Sequence, residues 1–179
     1  MKKMLPAVVL AVMSVVAVPA FAQTTPTSAI DSSAWSLQLG TYDDYNRLTL
    51  NYETAPVWQT RFSNGTRITL SGEFGASYWH TSRGTRNNFY QLSAIPLFRY
   101  WPTDRLYFEA GIGATVFDST HVGNKEISTN FQFGDHLGVG YRITNDMMIG
   151  YRFSHFSNAS IKRPNPGLNV NQIVLNKRF

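Results

Sequence analysis

Two side chains late in the sequence pair a nucleophile with a base. They are His155 and Ser157, in the run Tyr151-Arg152-Phe153-Ser154-His155-Phe156-Ser157-Asn158-Ala159. A serine hydroxyl attacks an ester carbonyl only when a neighbouring base takes its proton, and neutral imidazole has a suitable pKa. A spacing of two puts both side chains on one face of an extended strand. The oxyanion formed on the carbonyl needs hydrogen-bond donors, for which Asn158, Asn165 and loop backbone amides are the candidates. The Gly-x-Ser-x-Gly elbow of soluble hydrolases is absent. With no Cys there is no thiol nucleophile, disulfide or Cys-ligated metal, and His80, His121 and His136 lack metal-ligand spacing. No metal or cofactor is expected.

The strand carrying the pair belongs to a chain-wide pattern. From Leu106 the even positions read Leu106, Phe108, Ala110, Ile112, Ala114 and Val116, against Tyr107, Glu109, Gly111, Gly113 and Thr115. A period of two assigns each set to one face of a sheet. Carried along the sequence, it predicts eight strands at 34–42, 47–58, 66–79, 89–101, 105–117, 130–143, 146–157 and 168–179. No helical segment interrupts them, so the expected fold is an all-β, antiparallel up-and-down meander. Several strands exceed the roughly five or six residues usual in soluble proteins. About 9–11 tilted residues are needed to cross a bilayer.

Eight strands close either as a soluble barrel with an apolar lumen or as a transmembrane barrel with an apolar wall. The polar face carries Glu53, Glu73, Glu109, Arg99 and Arg142, interspersed with Gly75, Ser77, Gly111, Gly113, Gly138 and Gly140. That mixture suits a narrow lumen filled by charge pairs. The apolar face gathers Tyr52, Trp58, Tyr78, Tyr100 and Tyr141 near strand ends, as interfacial girdles do. The expectation is an eight-stranded transmembrane β-barrel. His155 and Ser157 then continue the lipid-facing parity of Ile149, Tyr151 and Phe153. Short turns at Asn64-Gly65, Pro102-Thr103-Asp104 and Thr144-Asn145-Asp146 alternate with longer connections at 81–88, 119–129 and 158–167. Bacterial barrels keep short turns in the periplasm, so the pair is expected near the outer rim, where an ester-bearing lipid would lie.

The formal charge of +5 includes Lys2 and Lys3, which open a leader; without them 14 basic face 11 acidic residues, or +3. There is no basic run, which argues against nucleic acid. Residues 1–22 read as a signal peptide, with an apolar stretch and Ala20-Phe21-Ala22 before the cleavage point. Residues 23–33, rich in Thr, Ser and Pro, read as a flexible lead-in, and 34–179 as the barrel.

The string His155-Phe156-Ser157-Asn158-Ala159, then Pro164-Asn165-Pro166-Gly167-Leu168-Asn169, resembles the active-site segment of the PagL family of outer-membrane lipid A 3-O-deacylases. The likeness is densest over 151–169 and agrees with the eight-strand layout ending on Phe179. It implies an outer-membrane serine esterase that removes the 3-hydroxyacyl chain from position 3 of lipid A. Ser157 would be the nucleophile, His155 the base and Asn165 the oxyanion contributor. Lys162 and Arg163 become phosphate contacts beside such an anionic glycolipid. The acid that orients the family's histidine falls at Asn169, which carries no charge. An Asn can orient an imidazole but cannot stabilise imidazolium by charge. Asp135, which interrupts the lipid-facing parity between Phe133 and Leu137, is the alternative acid. The competing reading is a non-catalytic small outer-membrane barrel with a structural, adhesive or lipid-binding role. Homodimerisation stays open, with no sequence feature in its support.

Overall fold

The computed structural model describes residues 31–179; the expected signal peptide (1–22) and residues 23–30 of the expected lead-in lie outside the described residues. The strands are β1 (Ala34–Tyr42), β2 (Tyr45–Glu53), β3 (Trp58–Arg61), β4 (Arg67–Thr81), β5 (Asn88–Trp101), β6 (Leu106–Phe117), β7 (His121–Val122), β8 (Lys125–Glu126), β9 (Phe131–Arg142), β10 (Met147–Ser157) and β11 (Leu168–Arg178). Seven of them, with β2 and β3 together as an eighth stave, form one antiparallel sheet. Its order is β2-β1-β11-β10-β9-β6-β5-β4-β3, and pairing of β2 with β4 closes it into a barrel. The short β7–β8 hairpin stands apart within the connection between β6 and β9.

One stave departs from the expected 47–58. It leaves the ladder after Glu53 and resumes at Trp58, where Pro56 in between has no N–H to give a neighbour. The pairing moves from Glu53↔Glu73 to Trp58↔Leu70, which absorbs two extra residues. The Ala55 amide is met instead by Ser33 Oγ at 3.1 Å. Asp31 is also held, by an ion pair with Arg67 at 3.0 Å. The next strand runs to Thr81 rather than stopping at 79.

Polarity is inverted relative to a soluble barrel. Leu37, Leu39, Leu50, Phe74, Leu92, Ile112, Leu137, Ile149 and Ile173 face outward and are exposed. The lumen is polar from mid-barrel toward the short-turn end. Arg99 clasps Glu53 through both terminal nitrogens and reaches Glu109 from Nε at 2.9 Å. Arg152 joins the other Glu109 oxygen at 2.7 Å and holds Glu73 at 2.6 and 3.0 Å. Arg178 adds a contact to Glu53 at 3.0 Å. Charges removed from water need opposite charges beside them, and in this network three guanidiniums meet three carboxylates. Arg142, expected among them, is half-exposed at the short-turn rim and takes no part. Gly140 is needed where it stands: a Cβ there would lie 2.2 Å from the Tyr107 hydroxyl, whose ring fills that level.

The long-loop end is plugged differently. Tyr45, Trp79, Phe89, Phe117, Val122, Ile127, Phe156, Leu168 and Val170 form a buried apolar cluster inside the barrel mouth. The lumen is therefore a packed core, and chemistry is confined to the outer wall and the long loops.

Candidate active site

β10 carries the Ser–His pair, and its inward residues are what aim it. Arg152 sits in the charge network, and Ser154 Oγ bonds His136 Nδ1 at 2.7 Å while accepting from Gln172 Nε2 at 2.8 Å. Phe156 is wedged edge-on against Trp79 and Phe117 (5.8 and 5.9 Å between centroids), with the Arg47 guanidinium 5.1 Å over its ring. Burying such a ring is worth about 2–3 kcal/mol. A strand cannot turn one residue without turning its neighbours. With 152, 154 and 156 fixed inward, His155 and Ser157 must project from the outer wall.

His155 lies between two cross-strand partners, Asn169 on β11 and Asp135 on β9. It bonds the first: Nδ1 meets Asn169 Oδ1 at 2.6 Å. An amide oxygen can only accept, so Nδ1 carries the proton and the Nε2 lone pair is left to act as base. Asp135 faces the same wall without taking that role. It stands with His155 at the head of an outer groove of about 270 Å³ that includes Ala110, Ile112, Leu137 and Phe153. A second depression of about 340 Å³, at Leu39, Asn46, Leu48, Tyr78 and His80, lies on the β1–β2–β4 wall and holds no Ser–His pair.

The loop after Ser157 folds back tightly. Ile161 N–H bonds Asn158 O at 3.0 Å, and Ala159 and Ser160 hold φ of 51° and 62°. This is the geometry of a type I′ turn. Asn165 Oδ1 accepts from the Asn158 backbone N–H at 3.2 Å, which leaves the Asn165 amide nitrogen as a donor beside the turn. Asn158 is placed otherwise than an oxyanion donor requires. Its side chain is fully buried and spends Nδ2 on the carbonyls of Ile127 (3.1 Å) and Lys162 (2.9 Å). It braces the loop.

Three features escape a reading by parity. Gly167 adopts φ +67°, and a Cβ there would stand 2.6 Å from His155 Cε1, so only glycine lets the loop close over the imidazole. The connection between β6 and β9 clamps the same loop from the other side. Lys125 Nζ donates to Gly167 O at 3.0 Å, and Ser128 Oγ donates to Pro164 O at 2.7 Å. Burial pulls the Lys125 ammonium below the usual lysine pKa, and Asp43 acts the other way. The Pro-Asn-Pro-Gly run marks the Gly167 turn in sequence, but no local pattern links Lys125 or Ser128 to a loop about forty residues on. Among the described residues no cluster of His, Cys, Asp or Glu could hold a metal ion.

Comparisons with known proteins bear on the family and the fold. The family model described as "Lipid A 3-O-deacylase (PagL)" matches residues 44–178. A lipid A deacylase PagL of Bordetella bronchiseptica is 51% identical over 147 residues, 80% of this chain and 82% of that protein. Its Pseudomonas aeruginosa counterpart is 34% identical over 175 residues, 94% of each chain. A crystal structure of the outer membrane enzyme PagL superposes with a TM-score of 0.69 at 25% identity, covering 82% of this chain and 99% of that one. The Yersinia pestis outer membrane protein Ail shares the fold alone, with a TM-score of 0.51 at 11% identity over 83% of this chain and 99% of Ail. With the family model matched over residues 44–178 and a relative 51% identical, the chain belongs to the PagL family of outer-membrane β-barrels, the lipid A 3-O-deacylases.

Proposed function

We propose that the protein is a serine esterase of the outer membrane that hydrolyses the ester-linked 3-hydroxyacyl chain at position 3 of lipid A. Residues 1–22 serve as its secretory signal, 23–33 as a lead-in and 34–179 as the barrel. The observation that carries the reading is the 2.6 Å contact between His155 Nδ1 and Asn169 Oδ1, with Ser157 two residues along on the same outward face. It supports a ring whose Nε2 is free to accept a proton.

In the first half-reaction Ser157 Oγ bonds to the ester carbonyl carbon and its proton passes to His155 Nε2. The tetrahedral oxyanion is met by the Asn165 amide and the backbone N–H groups of Ala159 and Ser160, since those of Asn158 and Ile161 are spent within the turn. The bond to the sugar 3-oxygen then breaks, and that oxygen takes the proton from His155. Water repeats the sequence on the acyl-serine, releasing the 3-hydroxy fatty acid and restoring the Ser157 hydroxyl. No cofactor enters, and every side chain used comes from one copy of the chain. The departing acyl tail lies along the groove below His155.

Mass spectrometry of lipid A from cells producing the wild type, His155→Ala and Ser157→Ala tests this. Loss of one 3-hydroxyacyl chain with the wild type alone is the expected outcome. Intact lipid A beside correctly folded wild-type barrel would return the chain to the reading of a non-catalytic barrel.

A further inference from the structure

A triad acid does two things: it holds the imidazole in the right tautomer, and its charge stabilises the imidazolium that forms as the serine proton arrives. Asn169 does the first and has no charge for the second. The outer wall holds a carboxylate that fits the missing task. Glu53, Glu73 and Glu109 all point into the lumen and are consumed by arginines. Among the described residues in barrel strands, Asp135 is the one carboxylate on the outward face, and no lysine or arginine pairs with it there. A charge on a lipid-facing wall is costly and is retained where it has work to do.

Its place along the strand is specific. Asp135 is the direct partner of His155 in the β9–β10 ladder, and both side chains line the head of one groove. Directly opposed residues bring their Cβ atoms to about 4.5–5.5 Å. Water is scarce at such a wall, so a charge at that separation is weakly screened. The groups around the ring are Asp135 on β9, Asn169 on β11, and Gly167 of the loop with the Lys125 ammonium on its carbonyl. Of these charges, Asp135 alone favours imidazolium.

We propose that the acid function is divided between two strands: Asn169 orients His155 from β11, and Asp135 stabilises its cationic form from β9 without bonding to it. Asp135 is a positioning residue in the electrostatic sense, acting on substrate only through His155. The inference rests on the esterase reading above.

The test is a double-mutant cycle on the full-length chain, folded in detergent micelles and supplied with lipid A. The variants are Asp135→Asn, Asn169→Glu and the two together, with barrel folding checked by the gel shift between boiled and unboiled samples. Asp135→Asn is expected to lower kcat about 100-fold with KM little changed, a fraction of what removing a triad acid costs elsewhere. In the Asn169→Glu background, where a charge already sits on Nδ1, the same change is expected to cost about threefold or less. Asp135→Glu, which keeps the charge, recovers most of the rate. Equal losses in both backgrounds, or a rise in KM alone, would overturn the division of labour while leaving the esterase standing. An inactive wild type would overturn both.

Discussion

Asn169 Oδ1 meets His155 Nδ1 at 2.6 Å across the β10–β11 ladder, a contact between directly paired residues. Because neighbouring antiparallel strands hold the two backbones, the acceptor is placed by the barrel and not by a mobile loop. Removing it leaves the ring free to turn and to adopt the tautomer with the proton on Nε2, where it cannot act as base. Asn169→Leu keeps the volume and removes the acceptor. It is expected to lower kcat about 100-fold or more with the barrel fold intact. Liquid chromatography of released 3-hydroxy fatty acid measures the rate, and full activity in this variant would show that the contact is incidental.

Gly167 limits the same ring from the loop side. Its left-handed φ costs a residue with a Cβ about 1–2 kcal/mol, and here the Cβ would also stand 2.6 Å from His155 Cε1. Gly167→Ala is therefore expected to turn the imidazole away from its place against Asn169 or to lift the loop away from β10. Activity should fall at least about tenfold, in line with the sensitivity of acyl transfer to small misplacements. The thermal midpoint of the barrel should hardly move, since β10 and β11 pair below the loop. A large fall in midpoint would assign Gly167 to folding instead.

The wall was legible because period-two alternation has a single solution once its polarity is known: the parity of Phe153 sends His155 and Ser157 outward, and the structure keeps it. Asn169 was reachable through the parity of Ile173 and Leu175 on the last strand. The break after Glu53 was harder, since β-propensity persists through Val57-Trp58 and only Pro56 signals the loss of a ladder bond. Asn158 shows where parity ends. Beyond Ser157 the chain turns, and whether an amide meets substrate or the Ile127 carbonyl depends on a loop thirty-one residues away. The aromatic plug at the long-loop end was hidden for a related reason, because Trp79, Phe89 and Phe117 have the parity of the polar face.

The lumen network offers a prediction that separates folding from chemistry. Glu109 is shared by Arg99 and Arg152, one through each oxygen. Glu109→Gln leaves both guanidiniums short of a charge in a space without bulk water. Breaking a buried pair in this way costs about 3–5 kcal/mol. The temperature at which the folded form is lost on unboiled gels is expected to drop markedly. Below that temperature deacylation should continue, because the Ser–His pair stands on the opposite face of the wall. Loss of activity at a temperature where the barrel is still folded would show that the lumen reaches the site.

Lys162 and Arg163 sit exposed on the loop that closes over the site. At that rim the acids are already engaged: Asp43 and Asp44 with Arg83, Asp118 with Arg86, and Glu126 with His121. Neither Lys162 nor Arg163 pairs with a carboxylate among the described residues, so positive charge is left over beside the groove where a phosphorylated sugar would rest. Charge-assisted contacts to phosphate are strong at short range, but exposed ones are screened within about 8 Å at physiological salt. Replacing both with Ser is expected to raise KM for phosphorylated lipid A about three- to tenfold at low ionic strength and to leave kcat close to wild type. The difference should shrink as salt is added and vanish with a dephosphorylated substrate. An equal effect on both substrates would mean that the two side chains shape the loop and do not read the headgroup.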